Sequence, residues 1–129
     1  MNPLTLEWVE KAEGDFNSTQ REIRARISPN YDSACFHAQQ TAEKYLKAVL
    51  QEHGLNFPRT HHLLDLLALC QKIDINYQAI YDDLLPLEEY AVKFRYPGEA
   101  ADKAEAKSAL KSARIVRLFV RNMLGLAKE

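Results

Sequence analysis

Apolar residues return along this chain every three or four positions rather than every two, the spacing of helices that share a core. A first helix is predicted from Thr5 to Arg26, with Val9, Ala12, Phe16, Ile23 and Ile27 on one side, Thr5 as N-cap and "SPN" at 28–30 as its end. A second is predicted from Tyr31 to His53, where Cys35, Ala38, Ala42, Tyr45, Leu46, Val49 and Leu50 form one stripe and Gly54 supplies the stop. Ala34, Ala38 and Ala42 leave room for a neighbouring helix to approach closely. After the turn "LNFPRT", Thr60 is the expected cap of a short third helix that buries Leu63, Leu66, Leu67 and Cys70. Ile80, Leu84, Leu87, Ala91 and Phe94 predict a fourth helix over about 77–94, which Pro86 should kink or split. Asp102, with Glu105 three residues on, has the form of a capping box opening a last helix that reaches Leu126.

No segment alternates as a strand does, and the chain has only four glycines and five prolines. The expected fold class is therefore all-α: an up-and-down antiparallel bundle of four long helices plus one short helix, in a single domain over 1–129. On the last helix Ala106, Ala109, Leu110, Ala113, Val116 and Val120 make one stripe, but Ile115, Leu118 and Phe119 lie outside it. A second apolar patch on a terminal helix points to a homodimer.

Composition adds bounds rather than a function. With 129 residues, 47% apolar and 27% charged, the chain is expected to fold around one core. No apolar run is long enough to span a membrane and the start is too acidic for a secretory signal, so a cytoplasmic protein is expected. A net charge of −1 gives no long-range attraction for nucleic acid, so any such binding would rest on a local patch. Cys35 and Cys70 fall at apolar positions and read as buried thiols. The histidines lack metal-ligand spacing, and there is no glycine-rich phosphate loop or nucleophile elbow; neither a metal nor a cofactor is expected.

On the second helix His37, Gln40, Lys44, Lys47 and Gln51 gather on the side opposite the apolar stripe. They form either an ordinary solvated face, with Glu43 and Lys47 as an i,i+4 pair, or a donor-rich strip for phosphate or an acidic partner. Arg114, Arg117 and Arg121 can likewise line one side of the last helix as phosphate ligands, or pair internally with carboxylates. In "FRYPG", Arg95 and Tyr96 stand where a helix gives way to a turn, suited to binding or to closing the bundle end. His61 and His62 are placed at the start of the third helix.

The blocks "YDSACFHAQQTAEKYLKAVLQEHG", "PRTHHLLDLL" and "EEYAVKFRYPG", with Trp8, Ala12, Asp15 and Phe16 near the start, resemble the HEPN domain family, the higher eukaryote and prokaryote nucleotide-binding domains. The resemblance covers nearly the whole chain. It implies a homodimeric helical bundle, prokaryotic and cytoplasmic, that works with a minimal nucleotidyltransferase in a two-component, toxin–antitoxin-like system. Its binding residues would be His37, Gln40, Lys44, Lys47, Arg95 and Tyr96, and its ligand a nucleotide such as ATP, or RNA. Many members of the family are metal-independent ribonucleases that use an arginine followed four to six residues later by a histidine. Here neither Arg95 nor Arg121 is followed by such a histidine. A non-catalytic binding module is the first expectation; the alternative is a ribonuclease toxin that joins Arg95 to His37 or His61.

Overall fold

In the computed structural model, which describes residues 1–128, the second helix is the rod that the other elements cover. The α-helices are α1 (Pro3–Arg24), α2 (Tyr31–Glu52), α3 (Leu63–Ile73), α4 (Tyr81–Leu87) and α5 (Lys103–Met123). The fold is all-α, as the periodicity predicts, and no described helix is long and apolar enough to cross a membrane.

Helix α1 begins earlier than expected. Asn2, not Thr5, is the N-cap, and its side chain accepts the Leu4 N–H while Pro3 occupies a first-turn position that needs no donor. Thr5 is buried instead and donates to Glu52 at 3.0 Å, tying the start of α1 to the end of α2. At the opposite end Thr19 donates to the Ala34 carbonyl at 3.0 Å, so α1 and α2 run antiparallel. That bond requires α1 to lie almost on the α2 backbone, which the small residues Ala34, Ala38 and Ala42, all fully buried, permit. Arg24 ends α1, and Ile27, expected on its apolar side, is 87% exposed.

Gly54 takes a positive φ of 66° just past α2, the left-handed stop its position predicts. The 53–62 segment then runs back along α2 until His61 stands beside Gln39 and Glu43. Helix α3 is capped by His62 with no side-chain bond; Thr60 accepts the His62 N–H and does not cap the helix. Its Leu63, Leu66, Leu67 and Cys70 are buried as expected, and the Cys70 thiol points at the Leu46 carbonyl at 3.8 Å. Both cysteines are free and buried, and burial pushes each thiol up to about 12.

The expected fourth long helix is broken into three pieces. A 3-10 segment (Ile75–Ile80) leads into α4, whose Pro86 removes a backbone donor, and a second 3-10 turn (Glu88–Ala91) follows. Ile80, Leu84 and Leu87 still reach the core. Helix α5 opens at Asp102, whose carboxylate accepts the Glu105 N–H at 2.7 Å, and it lies antiparallel to α1.

The approach of α1 to α2 sets the first test. Ala38→Leu adds a branched side chain where no space exists and should cost about 1–3 kcal/mol. A urea titration should show a lower midpoint with an unchanged slope, since the surface exposed on unfolding stays the same.

Candidate functional site

The row of donors on α2 does not face solvent as expected. His37 Nδ1 lies 2.7 Å from Asp15 Oδ1, and Lys44 Nζ donates to Asp15 Oδ2 at 2.6 Å. Gln40 is only 9% exposed and donates to the Gln39 oxygen at 2.7 Å. Lys47, at 8%, donates to Glu43 at 3.0 Å and lies over the Trp8 and Phe57 rings at 5.6 and 6.0 Å. The physical reason is coverage from both sides, by α1 carrying Asp15 and by the 53–62 return carrying Phe57 and His61. His37, Lys44 and Gln51 keep partly open edges.

Two further networks absorb charge. Glu43 accepts Lys47 on one oxygen, and Gln39 at 3.2 Å and His61 at 2.7 Å on the other, while the outer part of the His61 ring remains exposed. Glu13 receives a two-pronged grip from Arg117, with Nε at 2.7 Å and Nη2 at 2.6 Å, together with the Tyr45 hydroxyl at 2.5 Å. Arg121 donates to that hydroxyl at 3.1 Å and to the Ala127 carbonyl. Burial alone would raise the Glu13 carboxyl, but bonds from Arg117 and Tyr45 outweigh it and hold the group below its ordinary range. The arginine ladder of α5 is thus largely a tertiary clamp, and Arg114 rests over the Phe16 ring at 5.9 Å.

Arg95 and Tyr96 remain outward. Both are exposed, Tyr96 at 72%, so Tyr96 does not pack on the bundle end, and the Arg95 guanidinium has no ion pair among the described residues. Arg95 borders a hollow of about 440 Å³ that also includes Ser33, Phe36, Tyr90 and Phe94. Tyr90 and Phe94 stack at 5.7 Å, and Lys93 sits 5.2 Å from the Phe94 ring while bonding Glu89 and Glu105. Across the hollow, Asp32 accepts the Ala101 N–H at 2.7 Å, fixing the turn after "FRYPG" to the start of α2. A rigid floor of rings beside an unpaired guanidinium can stack a planar group and bind an anion at once.

Ser33 also borders a second, smaller hollow of about 210 Å³ with Ser18, Arg21, Glu22 and His37. Of the expected residues, the fold therefore brings His37 and Arg95 to adjoining depressions, buries Gln40 and Lys47 elsewhere, and leaves Tyr96 exposed outside the lining of both. Sequence reasoning assigned no binding role to Phe36, Ser33 or Tyr90, and no pairing role to Asp15. Asp15 did carry a signal: at 100° per residue it falls within the Ala12, Phe16 and Thr19 side of α1, an acid on a buried face.

A family model described as HEPN domain matches residues 5–123. The chain is also similar to the crystal structure of TT1696 from Thermus thermophilus, with a TM-score of 0.77 and 29% identity over 92% of this chain and 96% of that one. No curated protein matches.

Asp15 generates a pH test. Burial by itself would raise its carboxyl, but hydrogen bonds from His37 and Lys44, then their charges, hold it below the ordinary 3.8. A depressed folded pKa gives stability that is present above the unfolded value and lost as pH falls through the folded one. Asp15→Asn should cost about 2 kcal/mol at neutral pH. The gap from wild type should narrow below about pH 4 in urea titrations repeated across pH.

Proposed function

The chain belongs to the HEPN domain family, and from that premise we propose a non-catalytic module that binds a nucleotide in the Arg95 hollow. In this reading it works as a homodimer with a minimal nucleotidyltransferase, in a prokaryotic, cytoplasmic, toxin–antitoxin-like pair. The observation that carries it is the combination of an unpaired guanidinium with the stacked Tyr90 and Phe94 rings and the exposed edge of Phe36. Arg95 would take the phosphates, an aromatic ring the base, and the Ser33 hydroxyl or Asp32 a polar edge of the sugar or base. A volume of about 440 Å³ suits a mononucleotide. Of the donors on α2, only His37 stands close enough to extend this surface, through Ser33.

The dimer would use the apolar residues that the fold leaves outside. Ile115 and Leu118 on α5 are 38% and 36% exposed, and Tyr81 and Leu85 on the neighbouring α4 are 43% and 49% exposed.

A ribonuclease is the second reading, and the Asp15–His37 pair favours it. With Nδ1 turned to Asp15, the imidazole offers Nε2 as the group that takes a proton, and Arg21 or Arg95 could stabilise charge on phosphorus.

Calorimetric titration with ATP should show binding that Arg95→Ala weakens by about tenfold or more, the loss expected for one charge-assisted bond. No heat at millimolar nucleotide would remove the nucleotide from this reading. Incubation with cellular RNA in chelator separates the alternatives: cleavage that vanishes in both His37→Ala and Arg95→Ala would establish the enzyme instead. Light scattering should give a dimer mass that falls to the monomer in Leu118→Lys; a wild-type monomer would remove the dimer.

A further inference from the structure

The cations that α2 and α5 use internally leave a different set with nothing to balance them. Where the end of α1 meets the start of α5, Arg24 and Arg26 face Lys103 and Lys107 across a cleft of about 680 Å³. Ile23, Ala25, Pro29 and Tyr31 complete its walls, and no carboxylate borders it. All four cations are exposed, and none forms an ion pair among the described residues. This sets them apart from Lys44, Lys47, Lys93 and Arg117, each held by an acid. With 17 basic and 18 acidic residues, four unopposed cations in one cleft are a local excess that the total conceals.

The row continues beyond the cleft. At about 100° per residue, Lys107 and Arg114 lie within about 40° of Lys103 on α5, covering about 16 Å of helix, while Lys111 turns toward Asp83 on α4. On α1 the residues between Arg24 and Phe16 on that side are Gln20 and Asn17, both uncharged, so no acid interrupts the line. Arg114 over Phe16 marks its far end.

We propose that this α1–α5 cleft docks the phosphodiester backbone of a single-stranded nucleic acid. Phosphate is the chemistry that point charges and guanidinium forks share as a partner. A mononucleotide would reach only one end of the row, whereas successive phosphates of a strand match Lys103 and Lys107, about 6 Å apart along α5, and the arginines across the cleft. Tyr31 is the one aromatic ring in the cleft, so binding is through the backbone and tolerant of sequence. The cleft is separate from the Arg95 hollow and does not depend on it.

Fluorescence anisotropy of a labelled 20-nucleotide oligouridylate against the full chain tests this at 50 mM salt and above. Binding should weaken with salt along a log–log slope of about −3, from roughly 0.7 per phosphate neutralised by four cations. The double variant K103E/K107E should bind at least tenfold more weakly with a shallower slope, while K72E, one such reversal placed on α3 away from the cleft, should bind as wild type does. Unlabelled oligothymidylate should compete well, and ATP at equal total phosphate poorly. No wild-type binding at 50 mM salt, equal losses in K72E and K103E/K107E, or displacement by ATP as strong as by the oligonucleotide would each overturn the proposal. Loss of ATP binding with strand binding intact would defeat the nucleotide hollow alone.

Discussion

A helix enclosed on nearly every side must find partners for its polar side chains within the molecule, and α2 is such a helix. Fourteen of its twenty-two residues are buried, and these include Gln39, Gln40, Thr41, Glu43 and Lys47. An ionised group left alone there would cost several kcal/mol. The fold meets the demand with carboxylates from two directions: Asp15 reaches from α1 to Lys44 and His37, and Glu43 on α2 itself gathers Lys47, Gln39 and His61. No buried side-chain nitrogen or oxygen among the described residues lacks a partner. The Glu13 clamp does the same for α5, joining α1, α2 and the C-terminal segment through Arg117, Tyr45 and Arg121.

That requirement decides where binding chemistry can sit. Donors spent on satisfying α2 are unavailable to a ligand, so the groups free to recognise an anion lie where the helices end. Arg95 follows the broken α4 region, where Pro86 and the 3-10 turns keep the chain from continuing as a helix, and Arg24 and Arg26 flank the end of α1. These segments are positioned by the rigid rods yet contribute little to the core. They can carry unpaired charge at small cost because water still reaches it.

The helices themselves were legible because burial is written in a period that one chain can show. Cys35 through Leu50 on α2, and Ala106 through Val120 on α5, lie where their spacing places them, and Asp102 caps as its Glu105 partner suggests. The character of the α2 polar side was not legible. Periodicity distinguishes a more apolar side from a more polar one; it does not say whether a second layer covers the polar side. Here that layer comes from residues about 20 to 30 positions away in sequence, Asp15 on α1 and His61 on the return loop. The hollow at Arg95 was half legible: "FRYPG" marked its rim, but Phe36 and Tyr90 read as ordinary helix residues until the fold set them together. Thr5 and Thr60 show the same limit at helix starts, since any threonine before an apolar run reads as a cap until Asn2 or His62 is seen in that place.

Charge pairing also changes what the net charge of −1 means. Each internal pair removes one positive and one negative charge from the outward field, and Lys44, Lys47 and Arg117 are cancelled in this way. The charge that a ligand meets is that of the remainder, and in the α1–α5 cleft this includes four cations with no carboxylate on the lining. At physiological salt such fields fade over about 8 Å. A balanced total with separated local excess therefore gives little steering from a distance and substantial attraction on contact, so an anionic partner is selected by how its charges are spaced rather than by their sum.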